Sequence, residues 1–266
     1  MLDWTRTLLL HGVEGYTIEL TRYVLAAGAV TAILWIGARW VESRRIQLRT
    51  PDFADLQHEV INSLVTILTF AASSMLTLAL ARAGIIHLSM ALPPLWLAAL
   101  EFTAMVIAHD AYFYWMHRGL HLKAMFRRAH LTHHMSRTPT PWAAYSFAPI
   151  EAAFEAAFVP LFLLLVPFHA IVVLAFLLHQ IIRNVIGHMG HELAWSGFTR
   201  SRWTGWLTTT THHDLHHSEG RYNFGLYFTW WDRMMGTEHP RYHEKFEAVV
   251  GRHRAMEPAR GRRWFI

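Results

Sequence analysis

Long stretches without charge divide this chain. No Asp, Glu, Lys or Arg occurs from Tyr23 to Ala38, from Val60 to Ala81 or from Ala156 to Ile182, and Glu101 alone interrupts Pro94 to Ala108. About 20 apolar residues carry an α-helix across a ~30 Å hydrocarbon layer. One such run could belong to the core of a soluble protein; several in a short chain predict membrane spans, at about 23–41, 60–82 and 94–116. A turn near Gly84 separates the second from the third. Pro94 suits a first helical turn, where a missing N–H costs nothing. Continued to His121, this third helix would reach about 42 Å and carry its last turns into the water. Ala156 to Ile182 would measure about 40 Å as one helix, but Pro160 and Pro167 break or kink it. A helical hairpin over about 148–187, divided near 166–168, is therefore expected. With no sheet signal, repeat or linker, the chain reads as all-α: one integral-membrane helical bundle over residues 1–266.

Composition and charge refine this picture. The 266 residues are 53% hydrophobic and only 16% charged, against a usual charged share of about 25%. Zero cysteines exclude disulfides, thiolate zinc sites and cysteine-held iron–sulfur clusters, so any metal sits on nitrogen or oxygen. Met1 to Tyr23 mixes Asp3, Arg6, Glu14, Glu19 and Arg22 with a short leucine run. That is not the charged-then-apolar order of a cleavable signal peptide, and no processing is expected. The net charge of +5 concerns orientation rather than nucleic acid. Arg39, Arg44, Arg45 and Arg49, then Lys123, Arg127 and Arg128, then Arg254, Arg260, Arg262 and Arg263 mark segments expected to be cytoplasmic. Arg260 to Trp264 reads as a headgroup contact or a solvated tail.

Of 20 histidines, 14 lie between His109 and His217, the region expected to form a cytoplasmic metal-binding cap. Helical residues four apart lie about 40° apart around the axis and those three apart about 60°, so both share a face. His117 with His121, His130 with His133 and His134, and His213 with His216 and His217 all fit, each set able to aim ring nitrogens at one centre. Neutral imidazole suits iron, zinc, copper or nickel. His188 and its neighbour His191 are further candidate ligands; His212 is a ligand or merely a neighbour. His109, His169 and His179 read as supporting or structural, and His11, His58, His87, His239, His243 and His253 as surface residues. A ligating imidazole usually donates its other N–H to a fixed acceptor. Asp110, two turns before His117 on the same stripe with Tyr114 between, is expected to orient a ligand. Asp214, Glu192 and Asp232 are further candidates. Glu101 is an acid inside a span, a functional suspect or a bond to a neighbouring helix.

The pattern Asp110-x-x-x-Tyr114-x-x-His117-Arg118-x-x-His121, then His130-x-x-His133-His134, Asn184-x-x-x-His188 and His213-x-x-His216-His217 resembles the fatty acid hydroxylase/sterol desaturase superfamily. Tyr222-Asn223-Phe224-Gly225 and Asp232-Arg233-Met234-Met235-Gly236-Thr237 add to the resemblance, which runs from about Pro94 to Thr237. It implies a non-haem di-iron membrane oxygenase using two iron ions and O2. The ligands carried over are His117, His121, His130, His133, His134, His188, His213, His216 and His217. Some members have histidine where this chain has Asn184, which implies a weak or water-mediated ligand there.

Removing hydrogen from an unactivated C–H bond exceeds what side-chain acids and bases do, so a redox metal suits the work. A lipid substrate drawn from the bilayer, hydroxylated or desaturated, is expected. Tyr112, Phe113, Trp115, Trp142, Tyr145, Trp203, Trp206, Tyr227, Trp230 and Trp231 could line an apolar cleft or anchor at the interface. No glycine-rich dinucleotide fingerprint follows a strand, and electrons are expected from a separate donor protein. A zinc-dependent membrane hydrolase and a metal transporter or sensor are the rival readings. His191-Glu192 opens like a zinc-protease motif but lacks its second histidine, and zinc takes about four ligands. A transporter would favour ionisable residues along the spans.

Overall fold

The computed structural model describes the chain over residues 2–261, with side chains described over 10–252. His253 and the side chains of the basic tail through Trp264 lie outside the described residues. The helices are α1 (Leu2–Ile36), α2 (Ala38–Val41), α3 (Phe53–Arg82), α4 (Leu95–Leu120), α5 (Lys123–Met125), α6 (Leu131–His134), α7 (Pro149–Leu165), α8 (Ala170–His188), α9 (Thr210–Glu219), α10 (Trp230–Met235) and α11 (Tyr242–Gly261). The one β contact with named strands joins two residues to two, Leu88–Ser89 parallel to Phe168–His169. The fold is all-α.

Among the described residues, three helical stretches are long and apolar enough to cross a membrane: Leu10–Ile36, Phe53–Arg82 and Ala170–His188. Their outward faces are apolar, as with Leu25 at 66% and Leu174 at 61% exposed, while histidines and acids fill the interior. This reverses the usual order of a soluble protein. α1 begins far before Tyr23, where the charge-free run begins. It absorbs Glu19 and Arg22 because they pair at 2.7 Å and Arg22 also donates to Leu177 O of α8. The charges thus face the bundle, not lipid. α3 starts with a reciprocal cap: Asp55 N donates to Asp52 and Asp52 N to Asp55, satisfying two otherwise orphaned donors. It ends at Arg82, and Gly84, at φ +73°, makes the turn toward α4.

α7 and α8 divide the apolar stretch from Ala156 to Ile182, joined by a turn at 166–169. Glu151 near the start of α7 and His188 at the end of α8 both reach the histidine cluster, so the chain goes out and comes back. Pro167 lies in that turn. Pro160, expected to break or kink the helix, is held within α7. Proline has no N–H for the carbonyl four residues earlier; that carbonyl, Ala156 O, instead accepts from Ser73 Oγ of α3 at 3.0 Å. An apolar bundle offers no water to do this. α1, α3, α7 and α8 pack together, and α4 closes on α7 and α8. Met105, Phe158, Phe176 and Tyr227 form one core; Tyr23, Ile67, Tyr145 and Ile181 form another.

Ser73→Ala should therefore leave a buried carbonyl without a donor and cost about 1–3 kcal/mol. Thermal unfolding in detergent should show a lower midpoint for Ser73→Ala than for Ser74→Ala; equal midpoints would refute the carbonyl assignment.

Candidate metal centre

Four segments bring the histidines to one end of the bundle. α4 carries His117 in its last turn and is capped by His121. The chain then makes a π-helical turn, Phe126–His130, before α6; such turns are rare and favour functional sites. α8 ends at His188, and α9 carries the last box, its N-terminus capped by Thr209.

Nine imidazoles form two groups. His117, His121, His130, His134 and His216 make the first; His133, His188, His213 and His217 make the second, with the candidate ligand atoms within 4.8 Å of one another in each. Each five-residue box is split between them. In His130-x-x-His133-His134 the residues four apart enter the first group and His133 the second. In His213-x-x-His216-His217 the residues four apart enter the second and His216 the first. The spacing suggested one centre per triplet; the structure divides each triplet. The groups abut, with ring centroids of His133 and His134 6.0 Å apart and those of His134 and His217 5.1 Å apart.

The ring nitrogens facing outward identify the tautomers. His117 Nδ1 donates to Phe224 O at 3.0 Å, His133 Nδ1 to Ser146 O at 3.3 Å, His188 Nδ1 to Asn184 O at 2.8 Å and His216 Nδ1 to Tyr222 O at 2.7 Å. His130 Nδ1 donates to the buried Glu151 carboxylate at 2.8 Å. With the proton on Nδ1, each neutral ring turns a lone pair inward on Nε2. These lone pairs meet: His117 and His130 Nε2 are 3.1 Å apart, and His133 and His188 Nε2 are 3.4 Å apart. Two lone pairs at this distance repel unless a cation sits between them. Nitrogens about 2.1 Å from one metal lie about 3.0 Å apart at right angles and about 3.4 Å apart at tetrahedral angles. The Nε2 separations of 2.9–3.4 Å match those edges. The donor set fits two metal ions.

Burial keeps the rings neutral. It pushes His134 down to about 4 and His213, His216 and His217 well below the ordinary histidine range, with neighbouring imidazoles adding to the effect. Neutral imidazole is the ligating form.

Other expected site residues stand elsewhere. His191 joins neither group: Gly190, at φ +68°, turns the chain after α8, and His191 Nδ1 donates to Met189 O while Nε2 lies 3.9 Å from Glu42. Asp110 does not orient a histidine of either group. Its Oδ1 accepts from the Tyr227 and Phe228 N–H groups at 2.8 and 3.2 Å, tying down the loop that carries Phe224. Tyr114 hydrogen-bonds Thr237 and accepts from Arg118, away from both groups. Asn184 Nδ2 donates to Ala144 O. His212 faces Asp232 at 3.3 Å. Burial alone would raise the Asp232 carboxyl, but bonds from His212, the Gly225 N–H and Thr237 hold it low. Glu192 accepts from Thr211, and Asp214 from Gln47. Glu101 accepts from His169 in the hairpin turn. The acid that does touch a grouped histidine is Glu151, which sequence reasoning missed. The available signal was two acids four residues apart, Glu151 and Glu155, at the mouth of an apolar run.

The family model described as "Fatty acid hydroxylase" matches residues 102–237. The chain is 31% identical over 128 residues to the lathosterol oxidase of Homo sapiens, covering 48% of this chain and 41% of that protein. The lathosterol oxidase of Rattus norvegicus is 31% identical over 158 residues, covering 59% of this chain and 48% of that protein. A Delta(7)-sterol 5(6)-desaturase of Gibberella zeae is 30% identical over 142 residues, covering 53% and 42%. The match thus spans less than half the length of these relatives. No solved structure matches.

Two substitutions test the supports of the histidines. Glu151→Ala removes the acceptor of His130 and should weaken metal retention about 10–100-fold, read by metal analysis after dialysis against graded chelator. At Gly225 a Cβ would lie 2.5 Å from Phe228 O, so Gly225→Ala must shift the loop holding His117 and should loosen the first group in the same assay. Unchanged retention in both variants would refute these roles.

Proposed function

Because this chain belongs to the fatty acid hydroxylase family, we propose that it is an integral-membrane di-iron oxidoreductase using O2 to hydroxylate or desaturate a lipid. The facing Nε2 lone pairs of His117 and His130, each with its Nδ1 proton committed elsewhere, carry this reading. Nine imidazoles in groups of five and four exceed what one zinc ion takes, which favours a metal pair over a hydrolytic zinc. Bound there, two iron ions would supply the redox chemistry with O2 that side chains lack.

The chain's own residues hold and aim. His117, His121, His130, His134 and His216 take one ion; His133, His188, His213 and His217 take the other. Glu151 and the carbonyls of Phe224, Ser146, Asn184 and Tyr222 keep protons on Nδ1 and free Nε2 for the metals. Asp110 and Tyr114 act at one remove, bracing the loops that position His117. Burial excludes water from the imidazoles. The apolar spans give a lipid lateral access, and the sterol enzymes among the relatives support a ring or acyl lipid as substrate.

The site faces the cytoplasm in this reading. Arg44 donates to Ala194 O and Gln47 to Asp214, so the basic segment between α1 and α3 packs at the histidine end, which the positive-inside rule puts in the cytoplasm. Exposed Lys123, Arg127 and Arg128 at that end offer a docking face for a separate electron-donor protein. Residues 1–266 act as one membrane domain.

Metal analysis after expression with iron should find two iron ions per chain, with activity lost on chelation; zinc-loaded protein active without O2 would refute the reading. His133→Ala and His216→Ala, one from each group, should each abolish turnover yet insert normally into membranes. Lipid mass spectrometry of cells with and without the gene should show a product one oxygen heavier for hydroxylation, or two hydrogens lighter for desaturation.

A further inference from the structure

Beneath the histidine groups, all three candidate spans border one cavity of about 190 Å³ with an open mouth. Most of its wall is apolar, including Phe176, but Glu19, Arg22, Tyr145, Glu155 and Gln180 also line it. Ionisable groups at membrane depth are costly and mark function. The cavity shares two segments with the metal centre. Glu155 lies one turn along α7 from Glu151, which holds His130 of the first group. Tyr145 directly precedes Ser146, whose carbonyl holds His133 of the second.

The hydrogen-bond ledger of this wall narrows the ligand. Arg22 is engaged, with NH1 on Glu19 and NH2 on Leu177 O. It is the one Lys or Arg lining the cavity, so an anionic headgroup would meet the Glu155 carboxyl without a free cation. Among the described residues, neither the Glu155 carboxyl nor the Tyr145 hydroxyl has a hydrogen-bond partner. A neutral alcohol can use both, donating to one oxygen and accepting from the other.

We infer that this cavity binds the substrate lipid through a hydroxyl group held between Glu155 and Tyr145, selecting neutral lipid alcohols over free acids and hydrocarbons. The inference rests on the lipid-oxidising reading above and deepens it. Phe147 links the site to the second histidine group, its ring centroid 6.5 Å from that of Tyr145 and 5.1 Å from that of His133.

Three photoactivatable, alkyne-tagged sterols alike except at one ring position, bearing a hydroxyl, a carboxylate or hydrogen, test it on the purified full chain. The alcohol should label peptides from 145–159 at least tenfold more strongly than either counterpart, and excess unlabelled cholesterol should compete. Tyr145→Phe, which removes one oxygen from a ring otherwise packed on Tyr23, should cut that preference about tenfold, as should Glu155→Leu. Equal labelling by the carboxylate, or an undiminished preference in both variants, overturns the inference. Labelling needs no turnover, so the two readings fail separately. Selective labelling without any oxidised lipid product would sink the enzymatic reading alone; product formation without head-group preference would sink the binding site alone.

Discussion

Inward-facing lone pairs are the constraint around which this molecule is organised. Unprotonated imidazole nitrogens about 3 Å apart repel, and the structure holds eight Nε2–Nε2 contacts among nine rings, in two of which both rings commit their Nδ1 proton elsewhere. Such an arrangement persists only if each ring is gripped from behind and a cation balances the front. Five of the nine grips are visible as Nδ1 bonds, four to backbone carbonyls and one to Glu151. The four carbonyls lie next to or within a few residues of bends in the chain: the loop after α9, the turn before α7 and the last turn of α8. Irregular backbone is thus concentrated where it can serve the centre.

The same economy of donors and acceptors governs the apolar part. Inside a bilayer an unpaired carbonyl has no water to turn to. Pro160 creates one, and Ser73 of a neighbouring helix closes it. Arg22 and Glu19, which would be costly against lipid, instead tie α1 to α8. Many polar residues at membrane depth here act as fasteners between helices, while Glu155, Tyr145 and His109 are left open to a cavity.

Most of the architecture was legible in the chain. Charge-free runs and paired prolines indicated helices and a hairpin, and histidine spacing indicated which rings share a face. What periodicity could not reveal was partnership between distant segments. Asp110 lies on the His117 stripe, yet its carboxylate is consumed by the Tyr227 and Phe228 amides, a contact across more than a hundred residues. Glu151 escaped notice because it precedes the apolar run rather than any histidine box. His191 looked like a ligand by proximity to His188, but one left-handed glycine between them reverses its direction. Pro160 looked like a break because the rescue of its orphaned carbonyl comes from another helix. α1 looked shorter than it is because Glu19 and Arg22 find partners in three dimensions.

The splitting of each box has a consequence for how the two histidine groups relate. Since His133 and His134 are adjacent in sequence, as are His216 and His217, each box spans the gap between the sites with a single peptide link. The spacing of the two histidine groups is then tied to covalent chain geometry, which does not stretch, as well as to how tightly helices pack. Breathing of the bundle would carry both histidine groups together as one unit.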